Sequence, residues 1–273
     1  MKKFEGILIA TDLDDTLLDT KGQVSEENRA AIEYFKSEGG FFTFATARAL
    51  FNTKRISDVV PPNAPIVFLN GGGIYDFVND KLIWAYEIDR TACQMADFVC
   101  KRVDGVSVVY AGANSAHSLS ASSRVVAYAE KRRIPLIKEG LDEITVPICK
   151  VIFVADSDEM IELVADTLKE HPEYDRFEYR RIEAGVYQIF PKGLNKGDAF
   201  EKMVELFGVD KEKTITVGDH RIDVPMFERA RLGIAVSNGI PFAKEAADIV
   251  TVSNDDHALA RIISDLDCGI IKL

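Results

Sequence analysis

No run of apolar residues in this 273-residue chain approaches the ~20 needed to cross a bilayer, so the sequence predicts no membrane-spanning helix. Basic residues are in deficit, with 33 Lys and Arg against 44 Asp and Glu and a net charge of −11. That balance argues against nucleic acid or an anionic membrane as the main partner, because both reward basic surfaces. An anionic small molecule stays open, provided a local positive site receives it. Cysteine is scarce: Cys93, Cys100, Cys149 and Cys268 form no C-x-x-C pair and have no histidine spacing that suggests zinc. They read as reduced, and mostly as core filler. Internal repeats and low-complexity linkers are absent, which predicts short crossings between domains. No signal peptide is visible, since Met1-Lys-Lys-Phe-Glu leads straight into an apolar run, and the expectation is a cytoplasmic protein. Nothing in the sequence selects an oligomeric state.

What remains is an ordinary globular composition, 47% hydrophobic and 28% charged, of a size for one or two domains. Its most informative stretch is Asp12-Leu-Asp14-Asp-Thr16, which directly follows Ile7-Leu8-Ile9-Ala10. The apolar run reads as a buried strand. Side chains two apart on a strand share a face, so Asp12 and Asp14 are expected to converge as the strand ends. Two packed carboxylates repel, and a cation, a shared proton or a set of donors must relieve them. Oxygen ligands select a hard cation, and Mg²⁺ is the usual one beside a phosphate. Aspartates after a strand are also common turn formers, so the motif alone does not decide.

Strands alternate with helices at both ends of the chain. Ser25-Glu-Glu starts a helix that carries Ile32 and Phe35 on one face and stops at Gly39-Gly40. A strand over 41–46, a helix over about 49–59 and a third strand over 65–69 follow. Near the C-terminus come strand 214–217, a helix from about Asp223, strand 233–236, a helix from Pro241, strand 248–251 and a last helix. Continuous apolar strands separated by helices predict an α/β fold, a doubly wound parallel sheet of Rossmann type. The middle differs. Strands are expected at 106–110, 149–155, 177–182 and 186–190, with helices at 124–133 and 157–170, an α+β module inserted into the core. The expected domains are 1–83 with 190–273, and the insert 84–189.

Doubly wound sheets bind ligands beyond the carboxyl ends of their strands. Strand one delivers Asp12 and Asp14 to that edge, strand two Thr46, strand three Asn70, and the strand ending at Val217 delivers Gly218-Asp219-His-Arg-Ile-Asp223. Lys196 opens the helix where the chain re-enters the core. Carboxylates, a hydroxyl, an amide and an ammonium at one edge are the groups that phosphoryl transfer requires.

These segments are similar to the haloacid dehalogenase superfamily, and within it to Cof-type phosphatases carrying a large α/β cap. The resemblance rests on D-x-D-x-T at Asp12–Thr16, A-T-x-R at Ala45–Arg48, N-G-G from Asn70, N-K-G at Asn195–Gly197 and G-D-x-x-x-D at Gly218–Asp223, in that order over essentially the whole chain. It implies that Asp12 attacks phosphorus to form an aspartyl-phosphate, and that Asp14 protonates the leaving oxygen and then deprotonates the hydrolytic water. Thr46 and Lys196, with Asn70 beside them, would bind the phosphoryl oxygens. Mg²⁺ would sit between Asp12, the backbone carbonyl of Asp14 and Asp219, with Asp223 a further ligand or an orienting group.

One departure is Ile222, where that family usually has asparagine; isoleucine cannot hydrogen-bond a carboxylate or a phosphoryl oxygen. A lysine at a helix start is mildly disfavoured by the helix dipole, which favours an anion beside Lys196. Arg48 reads as structural, and His220 as a polar neighbour rather than a base. Lys150, Arg180 and Arg181 in the insert read equally as solvated strand residues or as contacts to an anionic substrate tail. A signalling receiver domain would be much shorter and would place its phosphorylated aspartate outside the acidic pair. The expectation is a Mg²⁺-dependent phosphomonoesterase for a small phosphorylated metabolite, a sugar, polyol or cofactor phosphate, over which the cap closes. The rival, motivated by Ile222, is a weakened member that binds a phosphorylated ligand as sensor or regulator.

Overall fold

The computed structural model describes residues 2–120, 122–132 and 134–273. Met1 and the end of the helix expected to run to Arg133 lie outside the described residues. In chain order the elements are β1 (Leu8–Thr11), α1 (Glu26–Ser37), β2 (Phe41–Phe44), α2 (Leu50–Ser57), β3 (Ile66–Phe68), β4 (Gly73–Asp76) and β5 (Lys81–Ala85). Then come α3 (Thr91–Cys100), β6 (Ser107–Ala111), β7 (Ala116–His117), α4 (Ser123–Arg132), β8 (Leu136–Ile137), β9 (Lys150–Val154), α5 (Asp158–Lys169), β10 (Phe177–Glu183) and β11 (Val186–Pro191). The chain continues through α6 (Lys196–Phe207), β12 (Thr214–Gly218), α7 (Val224–Arg229), β13 (Leu232–Ala235), α8 (Pro241–Ala246), β14 (Ile249–Val250) and α9 (Ala258–Asp267). These elements form two compact units, one comprising residues up to Trp84 together with Leu194–Leu273, the other Ala85–Gly193.

The first unit is built on a parallel sheet in the order β14-β13-β12-β1-β2. β1, β12 and β13 are buried along their whole length, as a sheet covered on both faces requires. Helix α1 starts where Ser25 accepts from Asn28 N at 3.2 Å, with Glu26 and Glu27 in the first turn against the positive helix end. Helix α6 starts likewise with Asn195 accepting from Asp198 N at 2.9 Å, and ends at Gly208, whose φ of 79° is left-handed. Phe200 and Met203 of α6 pack with Leu8, Ala10 and Phe227 in one buried cluster, each large side chain contributing about 1.5–3 kcal/mol.

The third strand departs from expectation. Instead of extending the parallel sheet in full, β3 pairs antiparallel with β4 in a three-stranded sheet with β5, and meets the parallel sheet through the parallel bridge Ala45–Val67. The chain reverses at 69–71, where Leu69, Asn70 and Gly71 all have positive φ. Gly71 is obligatory there: at φ 100°, a Cβ would stand 2.2 Å from Asn195 O.

The second unit holds a six-stranded sheet in the order β10-β11-β9-β6-β7-β8, antiparallel except between β7 and β8. Helices α3 and α5 cover one face through Met95, Val99, Ile161 and Val164 against Val151, Phe153 and Ile189. Helix α4 covers part of the other with Val125 and Tyr128 against Val109, Ile152 and Val154.

Candidate active site

The carboxyl edge of the parallel sheet gathers the site. Strand β1 ends at Thr11, and Asp12 N donates to Val217 O of β12 at 2.8 Å, which pins the aspartate beside the end of that strand. Beyond it the chain winds through a tight turn over 13–17 that Leu18 N closes on Leu13 O at 2.9 Å. Within this turn Asp14 is extended (φ −70°, ψ 132°) and Asp15 left-handed (φ 56°). Asn238 Nδ2 donates to Asp15 O at 2.7 Å and Thr16 Oγ1 to Asp219 Oδ1 at 2.9 Å, tying the turn to the loops after β13 and β12.

Lys196, wholly buried at the first turn of α6, reaches Asp12 Oδ1 at 2.7 Å and Asp223 Oδ1 at 2.5 Å. Asp223 spends its other oxygen on the backbone, accepting from Asp219 N at 3.1 Å and His220 N at 2.9 Å. Gly218 makes that approach possible, because a Cβ there would lie 2.5 Å from Asp223 Cβ. Gly197 serves the same purpose beside Lys196, since its missing side chain lets α6 lie against Pro225 O, which a Cβ would meet at 2.2 Å. The carboxylates of Asp12, Asp219 and Asp223 each present an oxygen within 4.8 Å of the others.

The electrostatics follow from this crowding. Burial pushes the Asp12 carboxyl up to about 7; Lys196 opposes the rise and the negative Asp223 adds to it. Burial also disfavours the Lys196 charge, but Asp12 and Asp223 outweigh it and hold the ammonium above its ordinary value. Asp219 is pushed up to about 6, by burial first, with the Thr16 hydroxyl opposing and Asp223 and Asp15 adding. Asp12 and Asp223 share one ammonium and Asp219 stands beside them with, among the described residues, a hydroxyl partner alone, so the site carries an excess of negative charge on oxygen ligands. That donor set fits a hard divalent cation.

Of the residues expected from sequence, Asp12, Lys196, Asp219 and Asp223 are brought together. Asp14 is not among the clustered carboxylates. With β1 already ended at Thr11, the turn carries its side chain out to Arg48, whose Nε and Nη2 hold the two carboxylate oxygens at 2.9 and 2.5 Å. The group is 55% exposed. Thr46 follows β2 at the same edge, where Ala45 N bonds Thr11 O at 2.9 Å. Its hydroxyl accepts from Arg48 N at 3.1 Å, and Asn70 N donates to its carbonyl at 3.0 Å. Asn70 Oδ1 is buried without a hydrogen-bond partner. Ile222 is partly buried and leaves the Asp223 network intact, since backbone donors complete it. Arg48, read as structural, and Thr16, quoted only within D-x-D-x-T, are the participants whose contacts to Asp14 and Asp219 the residues did not foretell. Thr16 stands in D-x-D-x-T as a buried hydroxyl, and Arg48 is marked only by its place two residues after Thr46.

A family model described as haloacid dehalogenase-like hydrolase matches residues 9–263. Among curated proteins, the chain is 28% identical to the 5-amino-6-(5-phospho-D-ribitylamino)uracil phosphatase YwtE of Bacillus subtilis, over 96% of this chain and 98% of that one. It is 25% identical to the putative phosphatase YxeH of the same organism, over 95% and 97%. Among solved structures, TM0651 from Thermotoga maritima superposes with a TM-score of 0.79 at 24% identity, covering 98% of each chain.

Proposed function

The chain belongs to the haloacid dehalogenase-like hydrolases and is a phosphatase, and from that footing we propose that it is a Mg²⁺-dependent phosphomonoesterase acting through an aspartyl-phosphate on Asp12. The observation that carries the reading is the buried Lys196 bridging Asp12 and Asp223, with Asp219 alongside.

An Asp12 oxygen attacks phosphorus and the ester oxygen leaves with its electron pair, protonated by Asp14. Asp14 then takes a proton from water as that water attacks the phosphorus of the aspartyl-phosphate, releasing inorganic phosphate and restoring the Asp12 carboxylate. For this the Asp14 carboxylate must leave the grip of Arg48. The Lys196 ammonium, the Thr46 hydroxyl and the Asn70 amide nitrogen donate to phosphoryl oxygens and spread the charge that would otherwise repel the nucleophile. Asp12 and Asp219, with the carbonyl of Asp14, would hold Mg²⁺; Asp223, with both oxygens engaged, orients Lys196 and the loop 219–220. When bound, the cation supplies charge neutralisation at the phosphoryl group.

The proposed substrate is a small phosphorylated sugar or polyol, and residues 85–193 are assigned to substrate choice. The relative YwtE, named for a phosphorylated ribityl compound, supports that class. The test is phosphate release from a panel of sugar, polyol, nucleotide and cofactor monophosphates with and without Mg²⁺, comparing the intact protein with Asp12→Asn. Mg²⁺-dependent release that vanishes in the variant is expected. Retained ligand binding without release from any member would favour a sensor.

A further inference from the structure

Lys150, Phe190 and Arg180 lie on the face of the second unit's sheet that α4 covers only in part. Lys150 stands at the start of β9, one register step beyond the pair Val151–Ile189. Its ammonium lies 5.5 Å from the centroid of the Phe190 ring, and the guanidinium of Arg180 lies 5.3 Å from the same centroid. Beyond them Arg132, in the last turn of α4, stacks at 3.9 Å on Tyr128, and the Tyr128 hydroxyl accepts from Gln188 at 3.3 Å.

The charges do not balance. Arg132 is neutralised by Glu183 at 2.8 Å, and the exposed Arg180 by Glu178 at 3.1 Å. Among the described residues no carboxylate lies within ion-pair distance of Lys150. A lysine at the rim of a sheet ordinarily extends its four-carbon stem until the ammonium is solvated. This one is held partly buried against an aromatic ring with a guanidinium as its charged neighbour, and burial first, then Arg132, pull its pKa down to about 8. An uncompensated, partly desolvated cation costs stability that an incoming anion would return. Threonine or glutamine would fill the position without that cost.

We infer that Lys150, Phe190 and Arg180 form a binding site for a small anion, a carboxylate or phosphate group whose carbon framework rests on the Phe190 ring. Lys150 supplies the unshared charge, Arg180 a second donor at the rim, and Phe190 the apolar floor. Two sources supply such an anion: the unreacting end of the substrate, or a separate effector. The first deepens the phosphatase reading and rests on it; the second does not.

The experiment uses the full chain and two variants, Lys150→Met, which keeps the stem and removes the charge, and Lys150→Arg, which keeps the charge. Steady-state kinetics on 6-phosphogluconate, with a carboxylate at its far end, are compared with those on glucose 6-phosphate, and malonate binding is measured by titration calorimetry without Mg²⁺. A substrate-borne anion predicts that Lys150→Met raises KM for 6-phosphogluconate about tenfold or more, leaves glucose 6-phosphate within about twofold, and is rescued by Lys150→Arg. A separate effector predicts unchanged KM values and malonate binding weakened to a similar extent in Lys150→Met alone. Melting of Lys150→Met at or above the parent temperature excludes a folding defect. Equal KM ratios together with equal malonate titrations in parent and Lys150→Met, including no binding in either, overturn the site. Failure of the parent to hydrolyse any ester would count against the phosphatase reading, while the malonate titration would still decide this one.

Discussion

Lys196 and Asp223 form an ion pair at 2.5 Å in which neither side chain is accessible to solvent, and Asp12 takes the same ammonium from the other side. Removing the lysine therefore leaves two buried carboxylates uncompensated. Lys196→Met is expected to lower unfolding free energy by about 3–5 kcal/mol in urea titrations. Phosphatase activity should fall by about three orders of magnitude or more, because the phosphoryl oxygens lose their buried cation.

Asp219 gives a prediction of opposite sign. Its carboxyl is raised to about 6 in the folded chain from an ordinary value near 4, so the folded state binds the proton more tightly than the unfolded state. The metal-free protein thus gains stability from this group as pH falls from above 6 towards 4, and loses it as pH rises through 6. Asp219→Asn, which keeps an acceptor for Thr16, should raise the metal-free melting free energy at pH 7.5 by about 1–3 kcal/mol and change it little at pH 4. The same variant should abolish stabilisation by Mg²⁺, which in the parent is expected to be larger at pH 7.5 than at pH 5. A destabilised variant at pH 7.5 would refute the account of that carboxyl.

Asp14 and Arg48 are joined by two hydrogen bonds at a site open to water, where ion pairs contribute about 0–1 kcal/mol. Asp14→Asn should leave the melting temperature nearly unchanged and lower kcat by about 10²–10⁴. With p-nitrophenyl phosphate, whose leaving group needs no proton, the loss should fall on the second step, visible as a burst of nitrophenolate followed by slow turnover.

Ile222 offers a direct comparison of enzyme and sensor. Asp223 already receives two backbone donors, so nothing in the network waits for an asparagine side chain. Ile222→Asn is expected to change kcat by less than about tenfold. A gain of several orders of magnitude would mark the natural chain as a weakened catalyst.

Much of this arrangement was legible in the residues, for reasons that differ from group to group. Asp12, Asp219 and Lys196 follow from strand ends and a helix start, positions fixed by apolar runs and capping residues that read directly. Asp14 did not follow, because the two-residue alternation of a strand applies only while the strand lasts, and β1 ends at Thr11. The antiparallel pairing of β3 with β4 depends on three consecutive positive φ values at 69–71, which Leu69 and Asn70 do not announce. Helix α3 was not expected at all. Its sequence, TACQMADFVC, buries Ala92, Cys93, Met95, Ala96 and Val99 and exposes Gln94 and Asp97, so the amphipathic period is present but rests on two polar residues inside the helix. The positive cluster at Lys150 and Arg180 was visible only as residue types; that one of them lacks a carboxylate is a fact of the folded sheet.

The most direct test of the central claim is to quench a Mg²⁺-supported reaction in acid within milliseconds, reduce the acyl phosphate with borohydride and map the modified residue by mass spectrometry. Modification is expected at Asp12 alone, absent in Asp12→Asn and accumulating in Asp14→Asn. Turnover at full rate with no modified aspartate, or modification at Asp219 or Asp223 instead, would contradict that claim.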